Sequence, residues 1–222
     1  SPGCSRAPRR SRNRAAQTAL ARIYRTRELW EPLAKVLEAK LETVDGEDAL
    51  ETRREIADLF AEKLEDPEGA IAQHKKIREL QPSDVRALRA LEQLYDKTGK
   101  TESYLEVLER LSETVENDGE RVALRMRMAA ELEEIKGGRS RAIPHLERAV
   151  AFDPTHQEAH RTLVRLLRDE RRFAELRSEL SRRLAFATDN AERLALHSQV
   201  ARISEEEMHD AEAARASWEK VL

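Results

Sequence analysis

The sequence predicts an all-α protein made of short paired helices. Three observations carry this. First, Ala (31), Leu (27), Glu (32) and Lys plus Arg (40) supply 130 of the 222 residues, and these side chains lose little rotamer freedom in a helix. Second, apolar and small residues recur in register about every 72 positions. Third, turn-forming residues interrupt every apolar face before a long helix or heptad seam can develop. Aromatic residues are only 4% of the chain, so the residues that stock β-sheets are scarce.

One frame starts at Leu20-Ala-Arg-Ile-Tyr24, which overlies Leu91-Glu-Gln-Leu-Tyr95 and Leu163-Val-Arg-Leu-Leu167. In the same frame Trp30 falls on Thr101 and Phe173, Leu33 on Tyr104 and Leu176, and Leu37 on Leu108 and Leu180. A second frame lies between. Ala57, Ala129 and Ala201 are 72 apart, as are Ala70, Ala142 and Ala214, and Pro82 and Pro154. Ile77, Ala149 and Val221 continue it. Three units of about 72 residues follow, each with two halves.

Each half predicts a helix, a turn and a second helix. Leu88, Leu91, Leu94 and Tyr95 share one helical face. Asp96-Lys97-Thr98-Gly99-Lys100 breaks it, with Gly99 suited to a helix C-cap. Tyr104, Val107, Leu108 and Leu111 resume the period. Similar turn chemistry recurs at Glu65-Asp66-Pro67-Glu68-Gly69 and at Lys136-Gly137-Gly138. Pro67 fits a first helical turn, where a missing N–H costs nothing. Leu80-Gln-Pro82-Ser-Asp84 and Phe152-Asp-Pro154-Thr-His156 close one hairpin and open the next. Ser83, Asp84 or Thr155 can cap the helix that follows.

These residues resemble the tetratricopeptide repeat family over about residues 14–222. The resemblance implies six repeats, an α-solenoid of antiparallel helix pairs wound into a right-handed superhelix, and no enzymatic activity. Carried over by position, Ala57, Ala129 and Ala201 are the small residue of the first helix, and Ala70, Ala142 and Ala214 open the second. Tyr24 and Tyr95 match the late aromatic, Gly99 the turn glycine, and Pro82 and Pro154 the closing proline. The departures are aliphatic residues at several aromatic positions and an extra turn residue in even-numbered repeats. The chain stops at Trp218-Glu-Lys-Val221-Leu222, inside an expected second helix, so a longer array or a docked end is expected.

The family binds peptides or partner proteins along its first helices. By that alignment the groove positions include Arg22, Arg25, Arg86, Arg89, Gln93, Lys97, Arg161, Arg165 and Arg168 in odd repeats. Asp58, Glu62, Glu133, Glu134, Glu205 and Glu206 take these places in even repeats, giving alternating basic and acidic stripes. Chaperone-binding members clamp a carboxylate with groove asparagines. Asn13, Asn117 and Asn190 are the only asparagines and fall in the lead-in or between repeats, so that clamp is not expected.

Charge and motifs bound the alternatives. Residues 1–27 hold eight arginines and no acid, and the remaining 195 residues carry a net −11. Residues 1–13 read as a basic, disordered lead-in. An alternative function is nucleic-acid binding through that segment and the basic stripes, which the acidic body opposes. A third is self-association through uncapped ends. No apolar stretch is long enough to span a membrane and no signal peptide is seen. The single cysteine, Cys4, excludes an intramolecular disulfide and fits a cytoplasmic setting. The Ala-Glu-Leu-Arg bias suits a GC-rich bacterial genome. His156 and His160 share a helix face, but Gln157 stands where a zinc-protease glutamate is needed. They read as surface residues at a helix start, and His74 as a packing residue. No phosphate loop, nucleophile motif, cofactor site or metal site is expected.

Overall fold

The computed structural model describes residues 7–222, with side chains from residue 14 onward. They form twelve α-helices and no strand among the described residues: α1 (Ala7–Thr26), α2 (Trp30–Leu41), α3 (Gly46–Glu62), α4 (Pro67–Leu80), α5 (Val85–Lys97), α6 (Thr101–Thr114), α7 (Asp118–Glu134), α8 (Arg139–Phe152), α9 (Gln157–Asp169), α10 (Phe173–Leu184), α11 (Asn190–Arg202) and α12 (Ala211–Trp218). A π-helical turn, Ile203–Glu207, extends α11. The expected lead-in, residues 1–13, overlaps this set. Residues 1–6 fall outside the described residues, whereas 7–13 are the first turns of α1. Cys4 also lies outside them.

Helices α1 and α2, α3 and α4, α7 and α8, α9 and α10, and α11 and α12 pair into hairpins, as the 72-residue register expects. The chain divides into two compact units, residues 1–110 and 111–222, the division falling late in α6. In the first unit α1 packs on α2, α3 on α4, and α4 on α5; in the second α7 packs on α8, α8 on α9, and α10 on α11.

The small residues mark the closest packing. Ala57, Ala70, Ala142 and Ala201 are fully buried, and Ala129 and Ala214 nearly so. Leu33, Leu37, Ile56, Leu88, Leu91, Leu108, Met128, Leu146, Leu163 and Leu176 fill the seams between. Each such side chain contributes about 1.5–3 kcal/mol on leaving water. The seam is thin, and the remaining helix faces carry the charge.

The turns inside hairpins follow two designs. Between α1 and α2, α5 and α6, and α9 and α10, a left-handed residue closes the helix: Glu28 (φ 55°), Gly99 (φ 66°) and Arg171 (φ 55°). The N–H groups of Leu29, Lys100 and Arg172 reach back to the carbonyls of Tyr24, Tyr95 and Leu167 at 2.8–3.0 Å. This is the Schellman motif. In the even hairpins the turn is one residue wider, as expected. Asp66 N–H donates to the Phe60 carbonyl at 2.8 Å, and Asp210 N–H to the Ser204 carbonyl at 2.7 Å. Glu65 (φ 52°), Gly137 (φ 77°) and His209 (φ 53°) are the left-handed residues there.

Side-chain caps start six of the helices. Asp66, Asp84, Asn117 and Asp210 accept the backbone N–H groups of Gly69, Ala87, Glu120 and Ala213 at 2.9–3.1 Å. At α9 the cap is His156, whose Nδ1 accepts the Ala159 N–H at 3.1 Å. Thr155 does not cap, because its N–H and hydroxyl both donate to the Asp153 carboxylate at 2.9 and 2.7 Å.

Candidate functional site

The nine expected groove residues, Arg22, Arg25, Arg86, Arg89, Gln93, Lys97, Arg161, Arg165 and Arg168, are all exposed. Arg22, Arg25, Arg86, Arg89, Gln93 and Lys97 belong to the first unit and Arg161, Arg165 and Arg168 to the second. They lie on α1, α5 and α9, the first helices of their hairpins.

Several of these arginines meet the acidic stripe of a neighbouring first helix. Arg25 of α1 pairs with Glu55 of α3. Arg86 of α5 reaches Asp58 of α3 at 3.5 Å. Arg165 of α9 holds Glu133 of α7 at 2.7 Å and Asp169 of its own helix at 3.7 Å. Exposed pairs of this kind contribute about 0–1 kcal/mol each. Their larger effect is on recognition: an arginine already facing a carboxylate offers less to a phosphate backbone. The basic stripe is therefore partly neutralised by its acidic partner stripe. Arg22, Lys97, Arg161 and Arg168 make no ion pair among the described residues.

Arg161, one of the expected groove residues, lines a cleft in the second unit. In the second unit, Arg161 and Val164 of α9, Leu180 of α10, and Leu196 and Gln199 of α11 surround a space of about 210 Å³. Val164, Leu180 and Leu196 make it apolar inside. Arg183 lies along it but is closed against Glu192, whose Oε1 accepts from both Nε (3.1 Å) and Nη2 (2.6 Å). Arg161 touches Gln157 Oε1 at 3.0 Å and keeps its charge unmatched at the mouth. The volume falls below the roughly 300 Å³ at which small-molecule pockets begin. It suits one or two protein side chains.

His160 also borders this cleft, and here the sequence expectation is corrected. His160 is not on the surface; it is 2% exposed. Its Nδ1 is hydrogen-bonded to Glu179 of α10, and its Nε2 lies 2.8 Å from the Pro154 carbonyl. Because a carbonyl only accepts, Nε2 carries a proton. Burial pushes the Glu179 carboxyl up, but the His160 hydrogen bond and the Arg182 charge outweigh it and hold Glu179 below the usual range. The pair pins the start of α9 to α10. His156 is only half-buried and serves as the α9 cap. His74 is buried, as its packing position implies. A second space of about 210 Å³ lies between Glu147, Leu163, Leu167, Glu175 and Glu179. Burial raises the Glu147 carboxyl. No group of three or more metal-ligating side chains occurs among the described residues.

The first unit shows a different use of charge. Asp84 caps α5 and accepts from Arg54 of α3 at 2.8 Å, with side chains 7% and 15% exposed. The hydrogen bond that Arg54 donates to Asp84 raises the Arg54 guanidinium above its ordinary value. Burial opposes the charge of Asp84, but the Arg54 hydrogen bond and the Ala87 N–H lower its carboxyl below the usual range. The sequence marked Asp84 as a cap; nothing in the spacing marked its anchor on Arg54.

Helical hairpins in register, buried small residues at each crossing and left-handed turn residues together define an all-α helical-repeat fold. No family model matches the sequence, and no curated protein does. The chain is similar to the solved structure of YrrB, described as a TPR protein with an unusual peptide-binding site. Identity is 18% and the TM-score 0.39, covering 85% of this chain and 91% of that one. It is similar to a tetratricopeptide repeat protein from Parabacteroides merdae at 11% identity and TM-score 0.43, covering 95% and 92%. MamA from Desulfovibrio magneticus gives 18% and 0.40, covering 80% and 95%. Among the described residues no helix is long and apolar enough to cross a membrane.

Proposed function

We propose that this protein is a non-enzymatic interaction scaffold whose second unit takes a peptide segment of a partner protein in the cleft between α9 and α11. The observation that carries this reading is the apolar interior of Val164, Leu180 and Leu196 beside the unmatched charge of Arg161. The cleft accepts an aliphatic side chain, and Arg161 favours a carboxylate close to it in the bound chain. Affinity then rests on a small buried contact, with the charge giving register and on-rate.

Selection from a displayed peptide library tests this. Enriched peptides should share an aliphatic residue with Asp or Glu nearby. Val164→Glu should abolish their binding, and Arg161→Glu should remove the acidic preference while circular dichroism stays unchanged. Peptides that bind the Val164→Glu variant as well as the parent would show that the cleft is not the site. Nucleic acid is the less favoured partner, because the Arg25, Arg86 and Arg165 charges are met by Glu55, Asp58 and Glu133. Binding of RNA or DNA that falls steeply between about 50 and 200 mM salt would restore that reading.

A further inference from the structure

Two helix junctions 72 residues apart treat one position in opposite ways. In the first unit, Lys75 of α4 holds its ammonium 5.9 Å from the centre of the Tyr95 ring of α5. That is within the range of a cation–π contact, and the ring itself is buried. In the register, Glu147 of α8 stands where Lys75 stands, and Leu167 of α9 where Tyr95 stands. The second unit thus lacks both the ring and the ammonium. It has instead the space of about 210 Å³ lined by Leu163 and Leu167 together with Glu147, Glu175 and Glu179.

The three acids around this space differ in what they face. Glu175 is closed on Arg172, whose Nε donates at 2.8 Å. Glu179 is buried and bonded to both Arg182 and His160. Glu147 is half-buried and makes no hydrogen bond or ion pair among the described residues. Burial pushes its carboxyl up; the charges of Arg172 and Arg182 draw it back, and those of Glu175 and Glu179 add to the rise. A half-buried carboxylate without a partner costs folding free energy. Here it borders an open space whose other wall, Leu163 and Leu167, is aliphatic.

We propose that this space is a second binding site, which takes a lysine side chain of a partner protein. The methylene stem lies along Leu163 and Leu167, and the ammonium meets Glu147. The first unit supplies the reason for a cation: at the matching position its own lysine covers the junction. The committed state of Glu175 and Glu179 leaves one carboxylate for one charge, which suits a compact ammonium on a flexible stem. The site uses none of Arg161, Val164 and Leu196, on which the α9–α11 cleft rests, so the two readings are tested separately.

Selection from a displayed peptide library, with counter-selection on a Glu147→Lys, Leu167→Tyr double variant, tests this. The double variant rebuilds the Lys75–Tyr95 arrangement and so fills the space. Enriched peptides should share a lysine and should bind the Val164→Glu variant as well as the parent. Replacing that lysine by norleucine, which keeps the stem and removes the charge, should weaken binding roughly tenfold, and Glu147→Gln should do the same. The two changes together should cost little more than either alone, as a direct contact requires. The methyl resonances of Leu163 and Leu167 should shift on binding. Circular dichroism reports the folding of each variant; if the double variant does not fold, counter-selection uses Glu147→Gln, which changes a single atom of a half-buried side chain. Enriched peptides without lysine, lysine peptides that bind Glu147→Gln as well as the parent, or no peptide that separates the two would overturn the proposal.

Discussion

Glu28, Glu65, Arg171 and His209 hold left-handed backbone with a side chain attached, whereas Gly99 and Gly137 do so without one. An L-residue there costs about 1–2 kcal/mol, against about 0.5–1 kcal/mol of extra unfolded-state entropy for glycine. Glu28→Gly and Glu65→Gly should therefore each stabilise by about 0.5–1 kcal/mol in urea melts. Gly138 is governed by space. A Cβ there would lie 1.9 Å from the Leu132 carbonyl oxygen, a backbone atom with little freedom to yield. Gly138→Ala should destabilise by about 3 kcal/mol. The Arg54–Asp84 pair ties a cap to a neighbouring helix. Asp84→Asn keeps an acceptor for Ala87 but loses the charge opposite Arg54, and should cost about 2 kcal/mol at neutral pH. The folded-state carboxyls of Asp84 and Glu179 sit below the usual range. Their contribution is present above about pH 4 and is lost as pH falls through the lowered values. Glu147 has the opposite sign: its raised carboxyl disfavours the ionised form, so Glu147→Gln should raise the melting midpoint at pH 7 more than at pH 4.

At the scale of the helix pair, the alanine positions set how near two backbones approach. Ala142 is fully buried at the opening of α8. Ala142→Leu should overpack this crossing and destabilise by about 1–3 kcal/mol, measured as a lowered urea midpoint. The repeat also reuses polar contacts. Arg53 of α3 donates to Gln73 of α4 at 3.1 Å, and 72 residues later Arg125 of α7 meets His145 of α8 at the same distance. His197 and Ser217 occupy these positions on α11 and α12. A long amphipathic side chain from the first helix crosses to a polar residue on the second, with its stem in the seam. Periodicity could not announce this, because a charged residue in a helical pattern reads as a surface residue. Arg125 is 2% exposed.

For the whole molecule, stability is close to a sum over hairpins and their neighbours. Damage should then stay regional. In hydrogen exchange, Gly138→Ala should lower protection across α7–α9 well before it lowers protection in α1–α3, whereas uniform loss would mean one cooperative core. The sequence by itself determined the helical class, the recurring helical hairpins, the Ala57 and Ala70 series at the crossings and the wider even turns. It could do so because these follow from local propensity and from a register that each repeat restates. The tertiary structure alone decided three matters. It placed His160 inside, because Glu179 and the Pro154 carbonyl supply both partners that its ring needs. It matched Arg25, Arg86 and Arg165 with acids about 30 residues away, which neutralises part of the basic stripe. It gathered Val164, Leu180 and Leu196 into one cleft from three helices. Each of these is a meeting of residues distant along the chain, and a one-dimensional pattern records which face a residue takes but not what it faces.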